Sequence, residues 1–430
     1  MRLGLAVAAL VPLLFPAIAL GGEAADALAD HLYAGTAAQG LAAATEGCSR
    51  NDAEACFARG IIQLVTAYEG LAQDLYRHGA TVPGTAPAAL LFGIEDGFDT
   101  APANPNPEPL SYTGLRSLLG DFLADVDQAR LSFERAGNGG DYVVSLEPMR
   151  VRLDLDGDGT AGEGENLGAL LGGLWESDDI PAPDAPPPGN KTKTKRDQAA
   201  TTRFTIGFDR ADAIWFAGYM QITAAPVDLV LAHDFSGFFG AFLHRVFPKA
   251  GLPMENYSRG GTLLMDPESD TNIADFIAAI HTLDFPVTEP ARLAGVLDRL
   301  REITRLSRRN WELILAETDD NRELVPSPRQ TSLAPDMPVT QPVVDAWLAT
   351  LETVDQVLAG ELLVPHWRFR QGFDLKHYFE TATETDLVMI LTGSGALPYL
   401  KDGPIADAAA FSQANEVLGT NWLGYAFWFN

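Results

Sequence analysis

Asp154-Leu155-Asp156-Gly157-Asp158-Gly159-Thr160-Ala161-Gly162-Glu163-Gly164-Glu165 sets carboxylates at places 1, 3, 5 and 12 of a twelve-residue run. Calcium is a hard cation that collects about six to eight oxygens, so carboxylates at alternate places can converge on it from one side. Gly159 at place 6 allows the sharp turn this convergence needs, and the Thr160 carbonyl supplies place 7. Gly162 at place 9 has no side chain, which leaves that position to a water. Glu165 closes the sphere with both oxygens. The expected ligand set is therefore Asp154, Asp156, Asp158, Thr160 and Glu165, with Ca2+ as the cofactor.

The run fits D-x-[DN]-x-[DN]-G-x5-E at every constrained place and so resembles the calcium loop of an EF-hand. Its flanks depart from the helix-loop-helix pattern. Tyr142 to Leu146 and Met149 to Leu155 alternate like strands and run straight into the loop. Leu167, Leu170, Leu171 and Leu174 on the far side have helical spacing. A loop entered by a strand and left by a helix predicts a structural ion, because no incoming helix can swing. Phe204 to Phe208 is strand-like and is expected to pair with Val151 to Leu155.

Outward from the loop the chain reads as mainly α: a multi-helix antiparallel array with a small β element at the calcium loop. Residues 22 to 46 and 52 to 76 read as helices, the second with Asp52 as N-cap. Helix resumes from Tyr112 to Arg135. Asp209 caps a strongly apolar helical region reaching Phe247, which Pro226 is expected to kink or divide. Gly251 to Asp270 reads as loop and Ile273 to Leu283 as a short helix. A long helix follows from Pro290 to Glu317, with Thr288 as N-cap, and Thr340 caps another to Ala359. Ile405 to Leu418 is expected to be helical. The aromatic stripe of Trp215, Phe216, Tyr219, Phe235, Phe238, Phe239 and Phe242 has helical spacing and reads as core, with the lining of a ligand cavity as the alternative.

Cys48 and Cys56 are the two cysteines of the chain. The join around them, Cys48-Ser-Arg-Asn-Asp-Ala-Glu-Ala-Cys56-Phe-Ala-Arg-Gly60, resembles the helix-turn-helix of Sel1-like repeats over about one repeat. That resemblance implies a C-x7-C bridge stapling two antiparallel helices, and an even cysteine count in an exported chain favours the same disulfide.

The chain opens as an export signal, with Arg2 as its one early charge, an apolar stretch from Leu3 to Leu14 and Ala17-Ile18-Ala19 as a cleavage site. A periplasmic or secreted location follows. The expected organisation is a signal peptide over 1–19, a helical region with the hairpin and the calcium loop over 20–176, a linker over 177–203, and a second helical region over 204–430, co-folded with the first. A net charge of −28 argues against nucleic acid and anionic membrane surfaces as partners. No mature stretch reaches 18 uncharged apolar residues, so no membrane span is expected. The basic run Lys191 to Arg196, among prolines in an acidic chain, reads as a solvated loop.

Three blocks are together similar to a family of exported bacterial proteins that brings no assigned activity. They are Gly60-Ile-Ile-Gln-Leu64 with Tyr76-Arg-His-Gly79, the calcium loop with Phe208-Asp-Arg-Ala-Asp-Ala-Ile-Trp215, and Pro365-His-Trp-Arg368 with Gly395-Ala-Leu-Pro-Tyr-Leu400. The likeness implies one co-folded unit and no substrate. His377 and Glu380 stand three apart, which is a weak metal signal. The glycine expected by the imelysin-like GxHxxE pattern is Leu375 here. Ser394 between two glycines reads as a turn, since G-x-S-x-G is absent.

Two functional classes follow. The first is a calcium-braced helical binding or scaffold protein for an unknown protein or small-molecule ligand. The second is an exported hydrolase-like enzyme with a site assembled from Asp209, Asp212, His233, His366 and Arg368.

Overall fold

The computed structural model describes residues 22–81, 104–162, 164–171, 205–257, 259–334 and 337–430. The expected signal peptide, the expected linker and the basic run at 191–196 lie outside the described residues. The fold is mainly α, a multi-helix array with short strands.

Helices α1 (Glu23–Ala34) and α2 (Ala37–Ser49) replace the single helix expected over 22–46. The break falls at Gly35, whose φ of 67° lies in the left-handed region. A Cβ there would also meet the Cβ of Ala161 at 2.6 Å, so the glycine lets the loop at 154–165 approach. Helix α3 (Ala53–Arg77) starts where expected, its first turn capped by the Asp52 side chain accepting from the Ala55 amide. The sulfurs of Cys48 and Cys56 lie at bonding distance across the α2–α3 turn. Helix α4 (Tyr112–Gly137) braces that turn, because Arg135 donates to the Cys48 carbonyl at 2.8 Å. Intact-mass analysis of the alkylated, unreduced protein is expected to show no label. Replacing both cysteines by alanine is expected to cost about 2–3 kcal/mol in urea unfolding, the chain-entropy value for so short a loop; two labels would refute the bridge.

Strand β1 (Val144–Leu146) pairs antiparallel with β2 (Ile206–Phe208), Val144 opposite Phe208. This corrects the expected pairing of Phe204 to Phe208 with Val151 to Leu155. Pro148 starts a 3-10 turn over Pro148–Arg150 and ends the ladder before Val151. The pairing is locked from one face by Phe57 of α3, fully buried against Phe133, Tyr142, Phe208 and a further ring, Phe216. Between the two strands, α5 (Leu167–Leu171) leaves the loop.

Helix α6 (Arg210–Leu231) packs along both α4 and α10 (Pro290–Ala316). Among the described residues it is the one helix long and apolar enough to cross a membrane by length and composition, and half of its apolar window is buried inside the fold. Asp212 and Asp228 lie on it, both buried. Pro226 sits inside α6 without dividing it, so of the expected kink or division the division does not occur. Packing on both flanks offsets the lost amide and the ring clash. The core around α6 draws on both expected helical regions: Leu28, Phe57 and Phe133 share one cluster with Ile214, Met220 and Leu306.

The rest is built of shorter pieces. They are α7 (Ser236–Phe242), α8 (Pro253–Tyr257), α9 (Pro267–His281) and β3 (Asp284–Pro286), then α10, α11 (Gln341–Ala359), β4 (Val364–Pro365) and β5 (Gly372–Phe373). After these come α12 (Leu375–Thr381), β6 (Glu384–Asp386), α13 (Leu387–Thr392), β7 (Leu400–Lys401), α14 (Ser412–Val417) and α15 (Trp422–Phe429). The loop expected over 251–270 thus contains α8 and the start of α9, each opened by a proline and the latter capped by Asp266. Glu289 rather than Thr288 stands at the N-cap of α10, since the Thr288 amide and hydroxyl both turn to the Ala232 carbonyl. The helix expected from Ile405 shrinks to α14. Ile405 instead forms a β-bridge with Leu363, which holds the segment extended.

Candidate metal centre

The loop at 154–165 is clamped at its neck. Arg152 and Asn166 form an antiparallel bridge, and Leu153 donates to the Glu165 carbonyl at 2.8 Å. The Arg152 amide donates in turn to Leu32 at the end of α1, at 3.0 Å. Gly157 and Gly159, with φ of 75° and 89°, give the left-handed turns that coil the chain inward. The coil brings carboxylate oxygens of Asp154, Asp156 and Asp158 within 4.8 Å of one another. Backbone amides hold them in place: Asp154 accepts from Gly157 (2.8 Å) and Gly159 (3.0 Å), and Asp156 accepts from Asp158 (3.0 Å). Asp158 takes both the hydroxyl and the amide of Thr160, which lowers its carboxyl below the usual range.

Glu165 is not in that triad. Its oxygens accept from the Leu155 amide at 2.9 Å and the Gly162 amide at 2.5 Å, so the side chain folds back over the loop it is expected to close. The residues fit a calcium ion: three convergent carboxylates over glycine turns, and a fourth lying across the same loop.

Two residues that sequence reading does not single out fasten the site to the core. Glu69 of α3 accepts from the Asp154 amide at 3.0 Å, and Gln73, one turn on, donates to the Asp154 carbonyl at 2.7 Å. Burial, and then the charges of Asp154 and Glu165, push the Glu69 carboxyl up, although the amide bond pulls it down. Nothing local marks these two; the partners are 85 and 81 residues away.

A second group of acids lies where α6 begins and α10 ends. Oxygens of Asp209, Glu317 and Glu323 meet within 4.8 Å. Asp209 caps α6 and forms a capping box with Asp212, whose side chain accepts from the Asp209 amide at 2.9 Å. Burial raises the Asp209 carboxyl. Burial first, and then the Asp209 charge, push Glu317 up to about 9. Burial is again the leading cause for Glu323, at about 7, and for Asp212, well above the usual range. Burial favours the protonated carboxyl throughout the group. Its sequence signal is the run Glu317-Thr-Asp-Asp-Asn-Arg-Glu323, acids placed directly after a long helix.

The five residues of the enzyme reading do not converge. Asp209 and His233 flank opposite ends of α6, a helix of 22 residues spanning about 33 Å. His233 is buried between the Leu229 carbonyl and the Thr385 hydroxyl, and burial lowers its pKa. His366 and Arg368 instead bond carbonyls of Ile390 and Thr392. Two open cavities along α10, of about 560 and 490 Å3, are lined by arginines and carboxylates and by none of the five. His377 contacts the Thr381 hydroxyl, and Glu380 lies 3.9 Å from the Lys376 amine. Ser394 follows Gly393, whose φ of 122° makes the turn. Comparison with family models, curated proteins and solved structures gives no match for this chain.

Proposed function

We propose that residues 154–165 hold one calcium ion that braces the packing of the loop on α1 and α3, in an exported helical protein that binds or scaffolds a partner. The observation that carries the reading is the convergence of Asp154, Asp156 and Asp158 within 4.8 Å over the turns at Gly157 and Gly159. Three carboxylates this close repel one another, and a divalent cation relieves that repulsion. The Glu165 carboxylate, lying across the loop, and the Thr160 carbonyl complete the expected set.

A structural role is supported by the clamps. The neck bridge, the Leu32 carbonyl and the Glu69–Gln73 pair tie both sides of the loop to elements that are themselves core. A sensor needs a helix free to swing, and here the segment leading into the loop is the bridged stretch around Arg152, after a 3-10 turn that ends at Arg150.

Calorimetry is expected to show one calcium per chain with Kd of about 10⁻⁶ to 10⁻³ M. At a hundredfold excess over Kd the ion should add about 2.7 kcal/mol to stability, with unchanged dimensions in X-ray scattering. The Asp154→Ala, Glu165→Gln double variant is the reference. Heat no greater than that of the variant would end the calcium reading; a large change in dimensions would end the structural one.

A further inference from the structure

Helix α9 turns Asp275 and Ala279 inward and packs on α7. Its other face is apolar and open to solvent: Ile273, Phe276, Ile277 and Ile280 are 39–50 % exposed. Beside it Leu263, Leu264 and Met265 are 84, 79 and 57 % exposed. Their backbone is held beside the helix, because the Asp270 carboxylate accepts the amides of all three at 2.6–3.1 Å. The seven side chains expose the equivalent of about four whole ones, on the order of 800 Å2 at roughly 200 Å2 each. A monomer rarely leaves a contiguous apolar patch above about 600 Å2. About 800 Å2 per partner is what a standard stable interface buries.

We propose that this face joins two copies of the chain about a twofold axis. The apolar spacing is palindromic: Ile273-x-x-Phe276-Ile277-x-x-Ile280 reads the same from either end. Two α9 helices packed antiparallel therefore set Phe276 against the partner's Ile277 and Ile273 against the partner's Ile280. An isologous contact sets one patch against itself, and this spacing lets the apolar rows of two antiparallel copies coincide. Lipid is a poorer occupant. Helices that lie in a membrane surface carry Lys and Arg on the polar face, and residues 260–281 contain neither, only Asp266, Glu268, Asp270 and Asp275 as formal charges beside His281. Two acidic copies repel at long range, and salt screens that repulsion while leaving apolar contact intact.

Sedimentation equilibrium of the purified protein from 1 to 100 µM is expected to give twice the chain mass, with tighter association in 500 mM than in 50 mM NaCl. Ile277→Glu and Leu264→Glu should each weaken dimerisation at least a hundredfold without lowering the melting temperature. Ile277→Cys, in a chain whose two cysteines are paired with each other, should give a disulfide-linked dimer under mild oxidant. A monomer at 100 µM overturns the proposal. If it floats with phosphatidylcholine vesicles, lipid is the occupant; if α9 is protected from hydrogen exchange, another segment of the same chain covers the face. A dimer that Ile277→Glu leaves intact, or that salt disperses, overturns it as well.

Discussion

Arg299→Ala is expected to lower the unfolding free energy by about 2 kcal/mol, read from urea unfolding, less than for a fully buried ion pair because the network lines an open cavity. Arg299 of α10 donates two parallel bonds to Asp127 of α4, at 2.9 and 2.8 Å. Its Nε reaches Asp228 of α6 at 2.6 Å and Nη1 reaches Gln221 at 2.8 Å. One guanidinium thus ties three helices, with Arg292 adding a second bond to Asp228 at 2.7 Å. Truncation leaves Asp127 and Asp228 short of a partner in a site where the Arg299, Asp228 and Asp127 side chains are 16, 11 and 30 % exposed. Arg299→Lys keeps the charge without the fork and should recover about half the loss. Burial works to raise the Asp127 carboxyl, but Arg299 and Arg130 outweigh it and hold it below the usual range. The contribution of that carboxylate is therefore present above its unfolded pKa and lost as pH falls through the folded one. A loss below about 1 kcal/mol would show that the network is solvated in practice.

The acid group at the α6–α10 junction has the opposite sign. Glu317 at about 9 and Glu323 at about 7 are both raised above the unfolded glutamate value. A raised pKa stabilises the protonated fold, so this contribution is complete below the unfolded pKa. It is lost as pH rises through 7 and then 9. Each proton is worth at most about 1.4 kcal/mol per pH unit, less here because Glu317 is partly exposed. Melting temperature is expected to fall by roughly 5 °C from pH 6 to pH 9. The Glu317→Gln, Glu323→Gln variant, neutral at every pH, should flatten that slope and melt higher than the parent at pH 9. Parallel slopes for parent and variant would show that the group does not hold its protons.

The sequence discloses those parts of the fold that have local causes. Asp52 before a long apolar period, Pro290 in a first turn and Asp209 at the head of an apolar run each mark a helix start the structure contains. Gly35 is harder to read, because Ala-rich residues on both sides carry no period for a break to interrupt. Pro226 misleads in the other direction: the cost of proline is intrinsic, whereas the packing on α4 and α10 that offsets it is tertiary. At the candidate site the inner carboxylates are legible because one twelve-residue run carries them. Glu69 and Gln73 are not, since nothing in α3 states what lies against it. Glu317 and Glu323 share that difficulty; their perturbed acidity comes from burial, and burial belongs to the assembled fold.

The fastening of the loop to α3 also bears on time. Asp154 is joined to Glu69 across 85 residues of chain, a closure that carries an entropic cost. Unfolding is expected to be slower in calcium at an unchanged refolding rate, the pattern of contacts made after the barrier, which stopped-flow kinetics with and without calcium checks. An ion held at Asp154, Asp156 and Asp158 would therefore act on the lifetime of the folded chain and leave the speed at which it is reached unchanged.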